Sequence, residues 1–330
     1  MRRFGSRPAF LTSLLLTASL AVGCGGSKSS NDDAGSGLEK KTITVASLPL
    51  VDAAGLHIAV QHKFFEAEGL KVNIKPVAQS ILALPALKNG QVDVIAGGNY
   101  VTFLQANDTG QLKLRILADG AAEAPRFMEL LVPKDSPIKQ PKDLEGKTVA
   151  VNIPNNIQSL TFNEVLKANN VDPTKIKYVK VAFPEMGAAL QKHQVDAVHT
   201  GEPFGTDIQR KQGARMVLDG GGAPVTDLPV SGYLSTQDFV TKYPKTAAAF
   251  QRALEKAQQL ASSDRKQVEQ VLPSYTKGID AQAASVLSLP GYPTSSNPTR
   301  LQRLIDLMMA NNMLKAKPDP KTLLYSPSSK

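Results

Sequence analysis

The chain has 330 residues, 42% of them hydrophobic and 20% charged, with one cysteine, no tryptophan and a formal net charge of +9. That composition belongs to a folded protein of about two folding units, and it excludes a disordered chain. A single cysteine excludes an intrachain disulfide framework and any metal site that needs two or more thiolates. The positive balance suggests nucleic-acid binding until its distribution is followed. Residues 1–23 hold Arg2, Arg3 and Arg7 and no acid, so without them 35 basic residues face 29 acidic ones, +6, in no block of five like charges. A nucleic-acid partner is therefore not expected.

In chain order, residues 1–23 join a charged start to an apolar run from about Phe10 to Val22, too short to span a bilayer, and read as an export signal. The run ends Leu20-Ala21-Val22-Gly23-Cys24, with small residues before the only cysteine. This resembles the bacterial lipobox, which implies acylation of Cys24 and anchoring on the outer face of the cytoplasmic membrane. The alternative is an ordinary signal peptide with a chance cysteine at its cut site. Residues 24–40, rich in Gly, Ser, Asn and Asp, have little to bury and read as a flexible tether.

From Lys41 short β-rich runs alternate with helical patterns. Thr42–Ser47 reads as a strand, 54–68 as a helix ending at Gly69, and 71–77 as a second strand. Further strands are expected at 92–96, 113–118 and 129–132. The alternation predicts mostly parallel sheet wrapped by helices. The order then repeats: Ala86–Val94 matches Ala189–Ala197 at a shift of 103, and Lys41–Val45 matches Lys147–Val151 at 106. Two ordered matches at nearly equal offsets predict two similar α/β lobes.

In open α/β sheets the ligand crevice lies beyond the carboxyl ends of the strands. The loops 47–54, 97–103, 119–127, 153–159, 200–204 and 219–223 are thus expected to face it, and they nominate Ser47, Ala53, Gly98, Asn99 and Tyr100. Tyr100 offers a ring where tryptophan is lacking, with core packing as the rival. Asn155, Asn156 and Ser159 stand at a helix start, where N–H groups suit an oxyanion; capping alone is the bland reading. Arg126 is the candidate anion partner, against a solvated surface arginine. His199 is the histidine placed to reach the crevice. His57 and His62 are five apart, about 140° around a helix, and do not form a zinc pair. No metal or other cofactor is expected.

Several segments together resemble the solute-binding proteins of ABC importers, in the nitrate, sulfonate, taurine and thiamine-pyrimidine family. They are AVQHKFFEAEGL at 59–70, Gly90–Gly97, LVPKDSPIKQPKDLEGKTVAV at 131–151, QVDAVHTGEPF at 194–204 and YLSTQDFVTKYP at 233–244. The resemblance implies an α/β periplasmic-binding-protein type II fold, two similar α/β lobes joined by a two-strand hinge. Residues 41–130 plus 237–330 would form one lobe and 131–236 the other, with crossings near 129–134 and 227–236. It also implies a monomer that clamps a small polar ligand, without chemistry, and delivers it to a membrane permease with its ATPase.

Asp52 lies in a loop that lines the cleft in the family, where it would bond a ligand amine or hydroxyl, with helix capping as its rival. Glu202-Pro203-Phe204 matches a Glu-Pro-aromatic motif, but Gly201 stands where an aromatic is frequent. Glu202 is thus either a ligand contact or a hinge brace. Plentiful helix-start amides favour a sulfonate-like or other organic anion, with a thiamine-pyrimidine-type heterocycle as the alternative. The fungal enzyme of the family that makes that pyrimidine carries a cysteine-rich motif, which one cysteine does not supply. Hydrolase and nucleotide signatures (Gly-x-Ser-x-Gly, Walker A, His-Glu-x-x-His) are also absent from the sequence.

Overall fold

A computed structural model of the chain describes residues 37–327, and the structural statements below concern these residues. The export signal, Cys24 and most of the tether lie outside them. Among the described residues are ten strands: β1 (Thr42–Ser47), β2 (Lys71–Pro76), β3 (Val94–Asn99), β4 (Leu114–Ala122), β5 (Met128–Val132), β6 (Thr148–Val151), β7 (Lys177–Lys180), β8 (Ala197–Gly201), β9 (Arg215–Asp219) and β10 (Pro229–Thr236). They form two five-stranded sheets, ordered β2-β1-β3-β10-β4 and β7-β6-β8-β5-β9. In each, three strands run parallel and the fourth is antiparallel to its neighbours, β10 in the first sheet and β5 in the second. β3 and β5 are buried along their whole length. They are short apolar runs because layers of structure cover both faces.

The sequence repeat has a structural cause. Asp93 Oδ2 accepts the Thr44 N–H at 2.9 Å while the Asp93 N–H donates to the Thr44 carbonyl at 2.8 Å. Asp196 does the same with Thr148, at 2.8 and 2.9 Å. Each aspartate thus clips the start of the third strand of its sheet to the first. Just before it, Gly90 and His193 occupy equivalent left-handed positions, φ 74° and 52°, that end the preceding helices. Glycine suits that conformation, and His193 adopts it without that freedom.

The antiparallel strands show where the chain changes sheets. The sequence placed the crossings near 129–134 and 227–236, but β5 and β10 lie inside sheets, and the chain passes between sheets at 123–127 and 220–228. Only the pairing partners of the flanking strands place these crossings. The crossings bond to each other, Glu123 N–H to the Leu228 carbonyl at 2.8 Å and Asp227 N–H to the Glu123 carbonyl at 2.9 Å. A Cβ on Gly221 would stand 2.1 Å from the Ala124 carbonyl oxygen, so this close approach requires glycine.

The C-terminal helices return to the first sheet. Helix Pro244–Ser263 buries Ala247, Phe250, Leu254, Ala257 and Ala261 at helical spacing. Phe250 stacks on Phe65 at 5.2 Å and meets Tyr233 edge-on at 6.2 Å. Two buried glutamines on this helix satisfy sheet carbonyls: Gln251 Nε2 donates to Leu117 and Gln258 Nε2 to Asp119 and Gly120. The end of the expected tether is docked rather than free. Glu39 accepts the N–H groups of Lys245 and Thr246, and Lys40 Nζ lies 2.6 Å from Asp93 Oδ1. The helix expected over 54–68 is broken: it runs Ala54–Gln61 and resumes at Phe64–Ala67, because Lys63 is left-handed at φ 56°.

Candidate functional site

A cleft lies between the sheets, with about 450 Å³ of space that includes solvent at its open side. Its walls come from the carboxyl ends of parallel strands on both sides. From the first sheet come Leu48, Leu50 and Asp52 after β1, Ser80 after β2, and Gly97 and Asn99 at the end of β3. From the second come Asn152, Asn156, Ile157 and Gln158 after β6, Phe183 after β7, and Gly201 and Glu202 at the end of β8. Phe127, Met128, Val230 and Ser231, at and beside the crossings, complete the lining. The six loops are equivalent in pairs, so the internal repeat builds the site from both sides.

Asp52 sits in the 3-10 turn Val51–Ala53, and the following helix is capped at Ala53 without a side-chain bond. Its carboxylate is free for another role: Oδ2 accepts the Ser231 hydroxyl at 2.6 Å, joining the first loop to β10. Burial raises its proton affinity, and the Ser231 bond partly offsets this. Asn99 caps helix Tyr100–Asp108 through Oδ1 to the Thr102 N–H, and its Nδ2 donates to Thr102 Oγ1. Asn156 caps helix Ile157–Ala168 through Oδ1 to the Gln158 N–H. Both asparagines thus cap a helix and line the cleft.

Glu202 lines the cleft and is fully engaged. It accepts Thr206 Oγ1 at 2.6 Å and the Ser288 N–H at 3.1 Å on Oε1, and the Thr206 N–H at 3.0 Å on Oε2. Since Ser288 belongs to the C-terminal segment, the Glu202 carboxylate ties the end of β8 to that segment rather than to the crossings. Burial raises its proton affinity against these bonds.

The other nominated residues are placed elsewhere. Tyr100 is buried under the first sheet, its hydroxyl donating to Asp119 Oδ1 at 2.6 Å, and Asp119 also pairs with Arg300 at 3.0 Å. Ser47 and Ala53 are buried and do not line the cleft; Ser47 Oγ donates to the Leu48 carbonyl. A Cβ on Gly98 would meet Leu234 Cδ1 at 2.6 Å, so its role is close packing of β3 on β10. Asn155, left-handed at φ 55°, and Ser159 face a separate polar hollow with Gln105, Asn163 and Asn311.

Arg126 turns away from the cleft. Its Nε donates to Glu129 Oε1 at 2.8 Å, and its backbone N–H to Asp219 Oδ1 at 2.8 Å. His199 points behind the cleft, stacked on Phe162 at 4.7 Å, with both ring nitrogens unpartnered; burial pushes it down to about 3, so the ring is neutral. Along β3 successive residues face opposite ways, so Gly98 points away from the cleft that Gly97 and Asn99 line, while Arg126 lies in the crossing and is held there by Glu129 and Asp219.

Sequence reasoning missed Ser80, Asn152, Phe183 and Ser231 as lining residues. The first three follow from the same strand-end rule applied to β2, β6 and β7, whereas Ser231 lies on an antiparallel strand from the other end of the chain. The walls also touch. Gln79 Nε2 donates to the carbonyl and to Oδ1 of Asn152, both at 3.0 Å, and Leu48 and Leu50 pack in one apolar cluster with Phe183 and Leu131. Lys, Arg and His are absent from the described lining residues. The arrangement suits enclosure of a small molecule by amides, hydroxyls and one open carboxylate.

Known proteins share this architecture. A protein of Escherichia coli (strain K12) named for binding aliphatic sulfonates is 25% identical over 260 residues, 74% of this chain and 76% of the relative. The alkanesulfonate-binding protein SsuA from Xanthomonas axonopodis pv. citri, bound to MOPS, superposes with a TM-score of 0.73 at 20% identity, over 87% of this chain and 99% of that one. The periplasmic nitrate-binding protein NrtA from Synechocystis PCC 6803 does so at 0.71 and 18%, over 86% and 85%. The fold is that of periplasmic binding proteins, two α/β lobes around a cleft. The model of the NMT1/THI5 like family matches residues 51–267, about two thirds of the chain, and the protein belongs to that family.

Proposed function

We propose that this protein is the extracytoplasmic solute-binding component of an ABC importer. It closes its two lobes around one small polar nutrient, an organic anion of sulfonate type, and presents the closed form to a membrane permease and its ATPase. The observation that carries this reading is the cleft lined by equivalent strand ends of both sheets. Asn156 and the start of helix Ile157–Ala168 supply donors for an oxyanion. The names of the related proteins support the same ligand class.

No catalysis is assigned to the cleft. Ser231 Oγ is committed to Asp52, and no histidine lines the cleft among the described residues to activate a nucleophile. Closure needs only a ligand that binds the closed state better than the open one. Acyl chains on Cys24 would hold the protein, as a monomer, at the membrane surface.

Thermal-shift and calorimetric titration with ethanesulfonate, nitrate, a pyrimidine and other nutrients tests the reading. Stabilisation with one-to-one stoichiometry and an unchanged ligand is expected. Consumption of the ligand, or no stabilisation across the screen, would defeat it. Cys24→Ala is expected to move the protein from the membrane fraction to the soluble one.

A further inference from the structure

The starts of the first sheet's strands gather lysines that are far apart in sequence. Lys71 opens β2 and donates its N–H to the Lys41 carbonyl beside β1, and the Lys113 carbonyl before β4 accepts the Gln237 N–H at the end of β10. Lys40, Lys88, Lys242 and Tyr243 line one hollow there, with Nζ of Lys40 and of Lys242 lying 5.6 and 5.2 Å from the centre of the Tyr243 ring. Lys245 follows at the head of helix Pro244–Ser263. Acids do not offset this end of the lobe. Asp93 is held by Lys40 and the Thr44 N–H, Glu39 by the N–H groups of Lys245 and Thr246, and Asp238 stands exposed beside them. Lys71, Lys88, Lys113, Lys242 and Lys245 are exposed and have no ion pair among the described residues.

The internal repeat supplies a comparison. At the equivalent end of the second sheet the Lys177 N–H donates to the Lys147 carbonyl, as Lys71 does to Lys41. There, however, Lys142 and Lys175 both pair with Glu145, at 2.6 and 3.0 Å, and Asp172 is exposed close by. The end left without matching acids is also the one at which the chain arrives from Cys24. Glu39 and Lys40 are docked on it, and Gly37 stands thirteen residues after Cys24. That length of chain reaches at most about 45 Å. The cleft lies past the opposite ends of the strands, so contact at this end leaves it open.

We propose that this lysine-rich end of the first lobe docks on the anionic lipid headgroups of the membrane that carries the Cys24 anchor. Unpaired lysines suit a surface of lipid phosphates, where the attraction adds up lysine by lysine and falls off within a Debye length. The choice of a membrane as partner rests on the anchoring of Cys24 proposed above. The ligand of the cleft plays no part in it.

Vesicle co-sedimentation of the processed chain from residue 24, carrying Cys24→Ala so that no acyl chain contributes, tests it. Binding is expected to vesicles of equal parts phosphatidylglycerol and phosphatidylcholine, weakening about tenfold or more from low to high salt, and not to phosphatidylcholine alone. The combined Lys88→Glu, Lys242→Glu and Lys245→Glu variant is expected to lose about tenfold or more in affinity for the anionic vesicles. Lys147→Glu, Lys177→Glu and Lys192→Glu together change the net charge by the same amount at the other end, and are expected to stay within about threefold. Glutamine at the same two sets of positions repeats the comparison, so a poorly folding charge reversal does not decide the matter alone. Equal loss in both sets, equal binding to the two vesicle types, binding to neither, or tighter binding to duplex DNA than to the anionic vesicles overturns the proposal. The importer reading falls separately, by the nutrient screen, and the anchor by the fractionation of Cys24→Ala.

Discussion

At the scale of single residues, the interior of this protein holds ionisable groups that stay neutral because burial makes their charged forms costly. His199 is the clearest: its ring lies flat on Phe162 with both nitrogens unpartnered and is pushed down to about 3. An unfolded histidine titrates near 6.5, so below that pH the unfolded chain takes up a proton that the folded one refuses. Stability is then lost as pH falls from about 6.5 toward 3, with roughly 2 kcal/mol gone by pH 5. His199→Met is expected to remove this part of the acid limb. Thermal denaturation at pH 7 and pH 5 checks it, and an unchanged difference between the two pH values would refute the assignment. Glu123 has the opposite sign, since burial raises its carboxyl and the folded state favours its protonated form.

At the scale of elements, the start of helix Ile157–Ala168 joins stability to binding. Asn156 caps it through Oδ1 and lines the cleft with the rest of the side chain. Asn156→Ala is expected to cost about 1 kcal/mol of stability through the lost cap and to weaken anion binding as well. Asn156→Asp separates the two roles, because a carboxylate still caps the helix but repels an oxyanion. It is expected to keep the melting temperature within about 2 °C and to lower anion affinity at least tenfold. Equal affinity in the Asp variant would show that the anion lies elsewhere. The strand clips Asp93 and Asp196 are the other element-scale device. They were legible as a repeated Gln-Val-Asp in the sequence, though their hydrogen bonds to Thr44 and Thr148 were not.

At the scale of the whole molecule, the crossings and the contacts across the cleft govern how the lobes relate. Gly221→Ala would drive a Cβ into the Ala124 carbonyl where the crossings pair. A loss of about 1–3 kcal/mol is expected in denaturant unfolding, and a neutral result would mean the crossings separate easily. Gln79 spans the cleft to Asn152 with two hydrogen bonds. Gln79→Ala is expected to enlarge the ligand-free radius of gyration in small-angle scattering and to weaken ligand binding roughly three- to tenfold. Unchanged scattering and affinity would show that this contact does not bias closure.

The sequence by itself determined the fold class, the internal repeat, the family and the principle that the site lies at the strand ends. Those follow from hydrophobic period, turn residues and spacing, which are local properties of the chain. Asp52, Asn99, Asn156 and Glu202 were found in the cleft for that reason. The direction of neighbouring side chains was decided only by tertiary structure: Tyr100 packs inward beside Asn99, Asn155 turns to another hollow beside Asn156, and Arg126 is taken by Glu129. The crossings and the Ser231 contact with Asp52 at 179 residues' separation are likewise tertiary facts. Which groups share a dry cavity depends on pairing between distant strands, and no local pattern encodes that.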